Sequence, residues 1–200
     1  MLKKIFIVFA FVLVTQIIAG CVDCNCGPIQ TFYTTTKSLF VNNIDSTLPE
    51  PMITNSSIIN AKNYGFKINL RSDRVALKNQ KVNWGFIQAA YACSCAENVY
   101  KSKESILTLE IFSNNDFDAN HPKNTDLSSY FKVKISQNLN TMPEYVKYIN
   151  RLYQTSSNPF YWGIFLQTSP SLSKKHQFKI RMTLSDGRIL EAETTEVELI

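Results

Sequence analysis

Four of the five cysteines in this chain stand as two Cys-x-Cys pairs, Cys24/Cys26 and Cys93/Cys95. Thiols at that spacing support two chemistries. Outside a reducing compartment, paired cysteines end as disulfides, and four cysteines allow three connectivities. A bond inside one Cys-x-Cys closes a tight, strained ring, so two long-range bonds between the pairs are expected. The alternative is a four-thiolate site for zinc or Cu(I). Zinc sites more often use Cys-x2-Cys spacing, whereas soft Cu(I) suits Cys-x-Cys better. Disulfides are the favoured reading, and no resident metal or cofactor is expected.

The remaining chemistry-bearing residues are sparse. Only His121 and His176 could serve as imidazole bases, and neither lies in a Gly-x-Ser-x-Gly elbow, a His-Glu-x-x-His helix or another catalytic motif. Both sit among polar neighbours and read as solvated loop residues. With six glycines in the chain, phosphate-cradling loops have little material. Asp116-Phe117-Asp118-Ala119-Asn120 opens like a calcium loop, but His121 stands where such a loop needs Gly and Leu127 where it needs Glu, which excludes an EF-hand. A looser calcium site on Asp116, Asp118 and Asp126 is outweighed by a plain polar loop. Glu104, Glu110, Asp116 and Asp118 have no spacing that fixes a carboxylate separation, so no glycosidase pair is assigned. No catalytic residue is expected. The rings of Trp84, Tyr161 and Trp162 could form a sugar-stacking or partner-binding platform if exposed, although alternating aromatics on a strand more often fill a core.

The first residues give a location. Lys3 and Lys4 precede the apolar run Ile5 to Val14, which leads into Ile18-Ala19-Gly20-Cys21. A positive segment, a short apolar segment and small residues before a cleavage point make a secretory signal. Ending on Cys21, it resembles the lipobox of bacterial lipoproteins, which implies removal of residues 1–20 and diacylation (palmitate-type acyl chains) of Cys21. The apolar stretch, broken by Thr15 and Gln16, is shorter than the roughly 20 residues that span a bilayer. The chain's formal charge is +5. Without Lys3 and Lys4 it keeps 19 basic against 16 acidic residues, a net +3, scattered and too mild for a nucleic-acid reader.

Residues 21–30 then form a lipidated end and short tether, and 31–200 one β-sandwich domain. Thr31 to Val41 is rich in β-branched and aromatic residues and reads as a strand. Residues 42–62, rich in Asn, Pro and Ser, read as a long loop with one edge strand at most. Tyr64, Phe66, Ile68 and Leu70 alternate with polar residues on a second strand. Further strands are predicted at 85–93, 105–112, 131–135, 161–167, 177–184 and 188–199. The last two are joined through Ser185-Asp186-Gly187 as a type I′ hairpin. Thr141-Met142-Pro143-Glu144 reads as a capping box that starts one short helix, ending before Asn158-Pro159. Many short strands and a single helix predict a mainly β fold, an immunoglobulin-like sandwich.

Cys93-Ser-Cys-Ala-Glu97, Ile106 to Phe117, Thr125-Asp-Leu-Ser-Ser-Tyr-Phe131 and Leu184-Ser-Asp-Gly-Arg-Ile-Leu190, read in order, resemble a family of uncharacterised lipoproteins of about 200 residues from Bacteroidota-type bacteria. The resemblance supplies no catalytic residue and implies an envelope lipoprotein. With one acid, Asp23, directly after Cys21, an outer-membrane anchor facing the periplasm is favoured over the cell surface. The expected function is a non-enzymatic binding or scaffolding module with a protein or glycan partner in the envelope. Metal handling by the cysteine pairs and a glycan-binding accessory role are the alternatives.

Overall fold

The structure, a computed structural model, describes residues 29–47, 50–75, 98–135, 138–152 and 163–200. The chain divides into two units. One comprises Met1–Phe32 and Ala76–Val99, of which residues 29–32 and 98–99 are described. There the Gln30 N–H donates to Asn98 Oδ1 (3.1 Å) and the Val99 N–H to the Gln30 carbonyl (2.9 Å). The other, Tyr33–Val75 with Tyr100–Ile200, is mainly β and holds the core.

Its longest strands are β1 (Thr31–Asp45, of which Tyr33 onward lies in this unit) and β4 (Tyr64–Val75), paired antiparallel from Tyr33↔Val75 to Asp45↔Tyr64 with a bulge between Thr36 and Ser38. The short strands β2 (Met52–Ile53) and β3 (Ile58–Ile59) follow β1, and β5 (Val99–Ser102) also pairs with β1. With β7 (Phe131–Ile135), β8 (Asn138–Asn140) and β9 (Ile164–Leu166), the first sheet runs β2-β1-β4-β9-β7-β8. A second sheet joins β6 (Ile106–Ser113), β11 (Phe178–Leu184) and β12 (Ile189–Glu193) in the order β12-β11-β6. In the third, β13 (Val197–Leu199) lies between β10 (Lys175–His176) and β3. The one α-helix among the described residues, α1 (Met142–Leu152), packs against β6 and β7, strands of different sheets.

Period-2 patterning builds the core as predicted. Tyr64, Phe66 and Ile68 on β4 are wholly buried, and β11 alternates strictly, burying Phe178, Ile180, Met182 and Leu184. The two sheets meet ring to ring, with Phe178 stacked on Tyr64 at 5.2 Å and edge-on to Phe131 at 5.5 Å between centroids. These contacts make the fold a mainly β sandwich with a short helix. No helix among the described residues is long and apolar enough to cross a membrane.

Three local expectations are corrected. Strand β1 does not stop at Val41 but runs through Asn42-Asn43 to Asp45. Asn43 is accommodated because its side chain is fully used: Oδ1 accepts from the Tyr64 hydroxyl (2.8 Å), and Nδ2 donates to the carbonyl and hydroxyl of Thr195 (3.0 and 2.9 Å). The loop expected at 42–62 therefore holds two short strands besides the end of β1. Residues 188–199 are two strands, because buried Thr194 breaks the run, its N–H bonding the Phe178 carbonyl and its hydroxyl accepting from the Phe178 N–H. The hairpin turn is also different. Gly187 has φ 85, whereas Asp186 does not lie at positive φ, and the Gly187 N–H reaches the Leu184 carbonyl at 3.0 Å. That is a three-residue loop with Gly at the left-handed position, not a two-residue type I′ turn.

Two glycines set the approach of β9 to its neighbours. A Cβ on Gly65 would lie 2.6 Å from the Ile164 carbonyl oxygen and 2.7 Å from Phe165 Cδ1, and one on Gly163 would strike Ile44 and come within 2.8 Å of Phe165 Cζ. The Phe165 ring covers both. Gly65→Ala should lower stability by about 2 kcal/mol in urea unfolding, the usual scale of overpacking. Adding Phe165→Ala should recover only part of it, since the Ile164 carbonyl is backbone. An unchanged midpoint for Gly65→Ala would contradict this packing.

Candidate functional site

The acidic turn after β6 is held by its own carboxylates. Asp116 Oδ1 accepts from the Lys123 N–H at 2.8 Å. Asp118 Oδ1 accepts from the backbone N–H groups of Asn120 (2.8 Å) and His121 (2.9 Å) and from His121 Nδ1 (2.9 Å), and its Oδ2 from the Tyr130 hydroxyl (2.8 Å). The His121 hydrogen bond, then that of Tyr130, holds the Asp118 carboxyl down at about 2. The same pairing pushes the Tyr130 hydroxyl up. Asp126 turns elsewhere, its Oδ1 accepting from Ser128 N–H (2.9 Å), Ser128 Oγ and Ile111 N–H (3.3 Å). Asp116, Asp118 and Asp126 are thus not brought together, and no cluster of three potential metal-binding side chains occurs among the described residues. The residues suggestive of a calcium loop act as turn caps.

His121 keeps its loop position, but His176 does not read correctly from sequence: it is fully buried on β10. Its Nδ1 lies 2.8 Å from Ser113 Oγ and its Nε2 2.9 Å from the Ser173 carbonyl. A carbonyl only accepts, so Nε2 carries the proton and Nδ1 accepts from Ser113. Both ring nitrogens are occupied, which gives this Ser–His pair the part of a core lock. The partners Ser113 and Ser173 lie far from or beside His176 without forming any sequence motif, so nothing local signalled the burial. Desolvation holds the imidazole below its ordinary value, only partly offset by the Ser173 carbonyl.

That depression has a pH signature. A group whose folded-state value lies below its unfolded value adds stability that is complete above about 6.5 and is lost as pH falls further, because the unfolded chain takes up the proton first. Unfolding free energy should fall between pH 6.5 and 5 with a slope of at most about 1.4 kcal/mol per pH unit. The slope should persist in His121→Asn and disappear in His176→Asn. Asp118 acts in a separate window, its contribution present above about 3.9 and lost toward about 2. A stability flat from pH 7.5 to 5 would contradict the buried neutral imidazole.

Glu104 and Glu110 are likewise separated in role. Glu104 is buried and paired with Arg188, whereas Glu110 lies on β6 opposite Arg181 of β11. Trp84, Tyr161, Trp162 and the cysteines Cys21, Cys24, Cys26, Cys93 and Cys95 lie outside the described residues.

The cavity that stands out was not anticipated. It is an open groove of about 400 Å³ lined by α1, the edge strand β6, and Asp126 and Ser128. One half of the predicted capping box begins its helical wall: Glu144 Oε2 accepts from the N–H (2.8 Å) and hydroxyl (2.9 Å) of Thr141, which holds the Glu144 carboxyl below its ordinary value. One face of α1 buries Met142, Tyr145, Val146 and Ile149. Asn150 then docks the helix onto the strand, accepting from the Ile106 N–H (2.9 Å) and donating to the Ile106 carbonyl (2.8 Å). Leu107, 57% exposed, is the accessible apolar side chain of the lining, backed by the buried Leu109, Met142 and Val146. Lys147 on α1 and Asp126 of the turn after β6 bring opposite charges to the lining. Neither makes an ion pair among the described residues.

No curated protein and no solved structure matches the chain. A family model does, over residues 36–195, from the bulge of β1 to the start of the last strand's approach. The chain belongs to the family described as a domain of unknown function, DUF5034.

Proposed function

We propose that this protein is an envelope-anchored lipoprotein that works as a non-enzymatic binding module, held to the membrane by lipid on Cys21 and facing the periplasm. The observation that carries the binding role is the α1/β6 groove, an open concavity of mixed apolar and polar lining whose volume falls in the range of small-ligand sites. The lipobox-like Ile18-Ala19-Gly20-Cys21 supports the anchor. The internal employment of Asp116, Asp118 and His176 accords with a role that needs none of them for turnover. Two disulfides between the Cys-x-Cys pairs complete the reading.

Mapping ligand-induced amide shifts in the exported, isotopically labelled chain carrying Cys21→Ser tests the binding role. Probes of distinct chemistry (short peptides, oligosaccharides, fatty acids) are added in turn. Shifts concentrated at Leu107, Leu109, Val146 and Lys147 with any one class are expected. Turnover of a probe, or shifts confined to residues away from α1 and β6, would overturn the reading.

A further inference from the structure

We propose that the α1/β6 groove takes a short apolar peptide with free termini, its carboxylate on Lys147 and its ammonium on Asp126. This deepens the binding-module reading and rests on it. The edge of β6 is already closed to an added strand. Asn150 occupies both backbone groups of Ile106, Asp126 and Ser128 occupy the Ile111 N–H, and Ser128 Oγ approaches the Leu109 carbonyl at 3.4 Å. A ligand here is therefore gripped through the apolar lining and the charges at the rim, not through a main-chain ladder.

Charge then selects the class. Among the described residues, hydrogen bonds reach Asp126 through Oδ1 alone, so its Oδ2 is the oxygen offered to a cation. Lys147 opposes it from α1. A fatty acid would satisfy Lys147 but meet the Asp126 carboxylate, and an organic cation would meet the reverse conflict. A zwitterion with an apolar body satisfies both. A volume of about 400 Å³ suits a ligand of dipeptide size, at the small end of the range for such sites.

The test titrates three probes into the labelled chain carrying Cys21→Ser: Leu-Leu, its terminally capped form N-acetyl-Leu-Leu-amide, and laurate. Leu-Leu should move the amides of Leu107 and Val146 and bind about 100-fold more tightly than the capped form, the scale of two charge-assisted contacts. Lys147→Gln, a change at an exposed position, should weaken Leu-Leu about 10-fold and leave the capped peptide unaffected. Equal binding of the capped peptide, or tighter binding of laurate at the same amides, would overturn the peptide assignment and leave the groove as a binding site. No movement of groove amides with any of the three would overturn this inference. The wider probe panel would then decide separately whether the binding-module reading stands.

Discussion

Arg188→Met should be the most damaging single surface change, lowering stability by about 3 kcal/mol in urea unfolding, the lower end of the cost of orphaning a buried charge. Glu104 has a side chain only 6% exposed, and Arg188 Nη2 lies 2.9 Å from its Oε1. The Glu104 carboxylate also accepts from the Thr35 hydroxyl (2.6 Å) and the Thr36 N–H (3.3 Å). Arg188 in turn bonds the Thr36 carbonyl (2.6 Å) and Asp186 (2.7 Å). One guanidinium therefore ties the bulged part of β1 to the β11–β12 hairpin. Its removal leaves the carboxylate desolvated without a counter-charge. The figure sits at the lower end because Arg188 is itself 38% exposed, so water recovers part of the loss. Converting Glu104→Gln in the same chain removes the orphaned charge while keeping an acceptor, and should restore at least half of the lost stability. If the double variant is as unstable as Arg188→Met, the burial of charge is not the cause.

Phe178→Ala should cost about 4 kcal/mol, within the range for emptying a fully buried aromatic site. Phe178 is completely buried where the sheets meet, in ring contact with Tyr64, Phe131 and His176. Those neighbours belong to β4, β7 and β10, and a collapse that filled the cavity would have to move elements of different sheets together. Little relaxation is expected, so the cavity cost adds to the lost transfer energy. Phe178→Leu should retain more than half of the stability. A loss below about 1.5 kcal/mol for Phe178→Ala would mean that the sheets are not held at this ring cluster.

The parts of the fold that were legible in the sequence are those where one physical signal dominates. Alternation in Tyr64–Leu70 and Phe178–Leu184 reports burial of one strand face directly, and β4 and β11 are found there. Thr141 and Glu144 announced the start of α1, since a capping box needs only residues three apart. Signals that depend on distant partners were not legible. Asn43 looked like a loop residue because Tyr64 and Thr195, which satisfy it, are elsewhere in the chain. His176 looked solvated for the same reason, its Nδ1 partner Ser113 standing 63 residues away. Residues 188–199 kept enough strand character to hide the change of sheet at Thr194.

The groove was illegible for a further reason. Its lining comes from β6, the 126–128 turn and α1, and no one of these segments carries an unusual composition. Leu107 is apolar on the outward side of a strand, and Lys147 is one of many surface lysines. Only docking of α1 through Asn150 onto Ile106 brings them into one concavity. Conversely, the Asp-x-Asp-x-Asn turn looked more like chemistry than it is, since Asp116 Oδ1 and Asp118 Oδ1 accept from N–H groups of the same turn and Asp118 Oδ2 from the Tyr130 hydroxyl.

The intact mass of the protein purified from membranes, recorded with thiol alkylation before and after reduction, tests most directly whether this is a lipid-anchored and disulfide-stapled module. A chain beginning at Cys21, carrying diacylglyceryl and acyl groups there and taking up alkylating agent only after reduction, is the expected result. A chain retaining residues 1–20, or one with an unmodified Cys21 and thiols alkylated without reductant, would contradict the account.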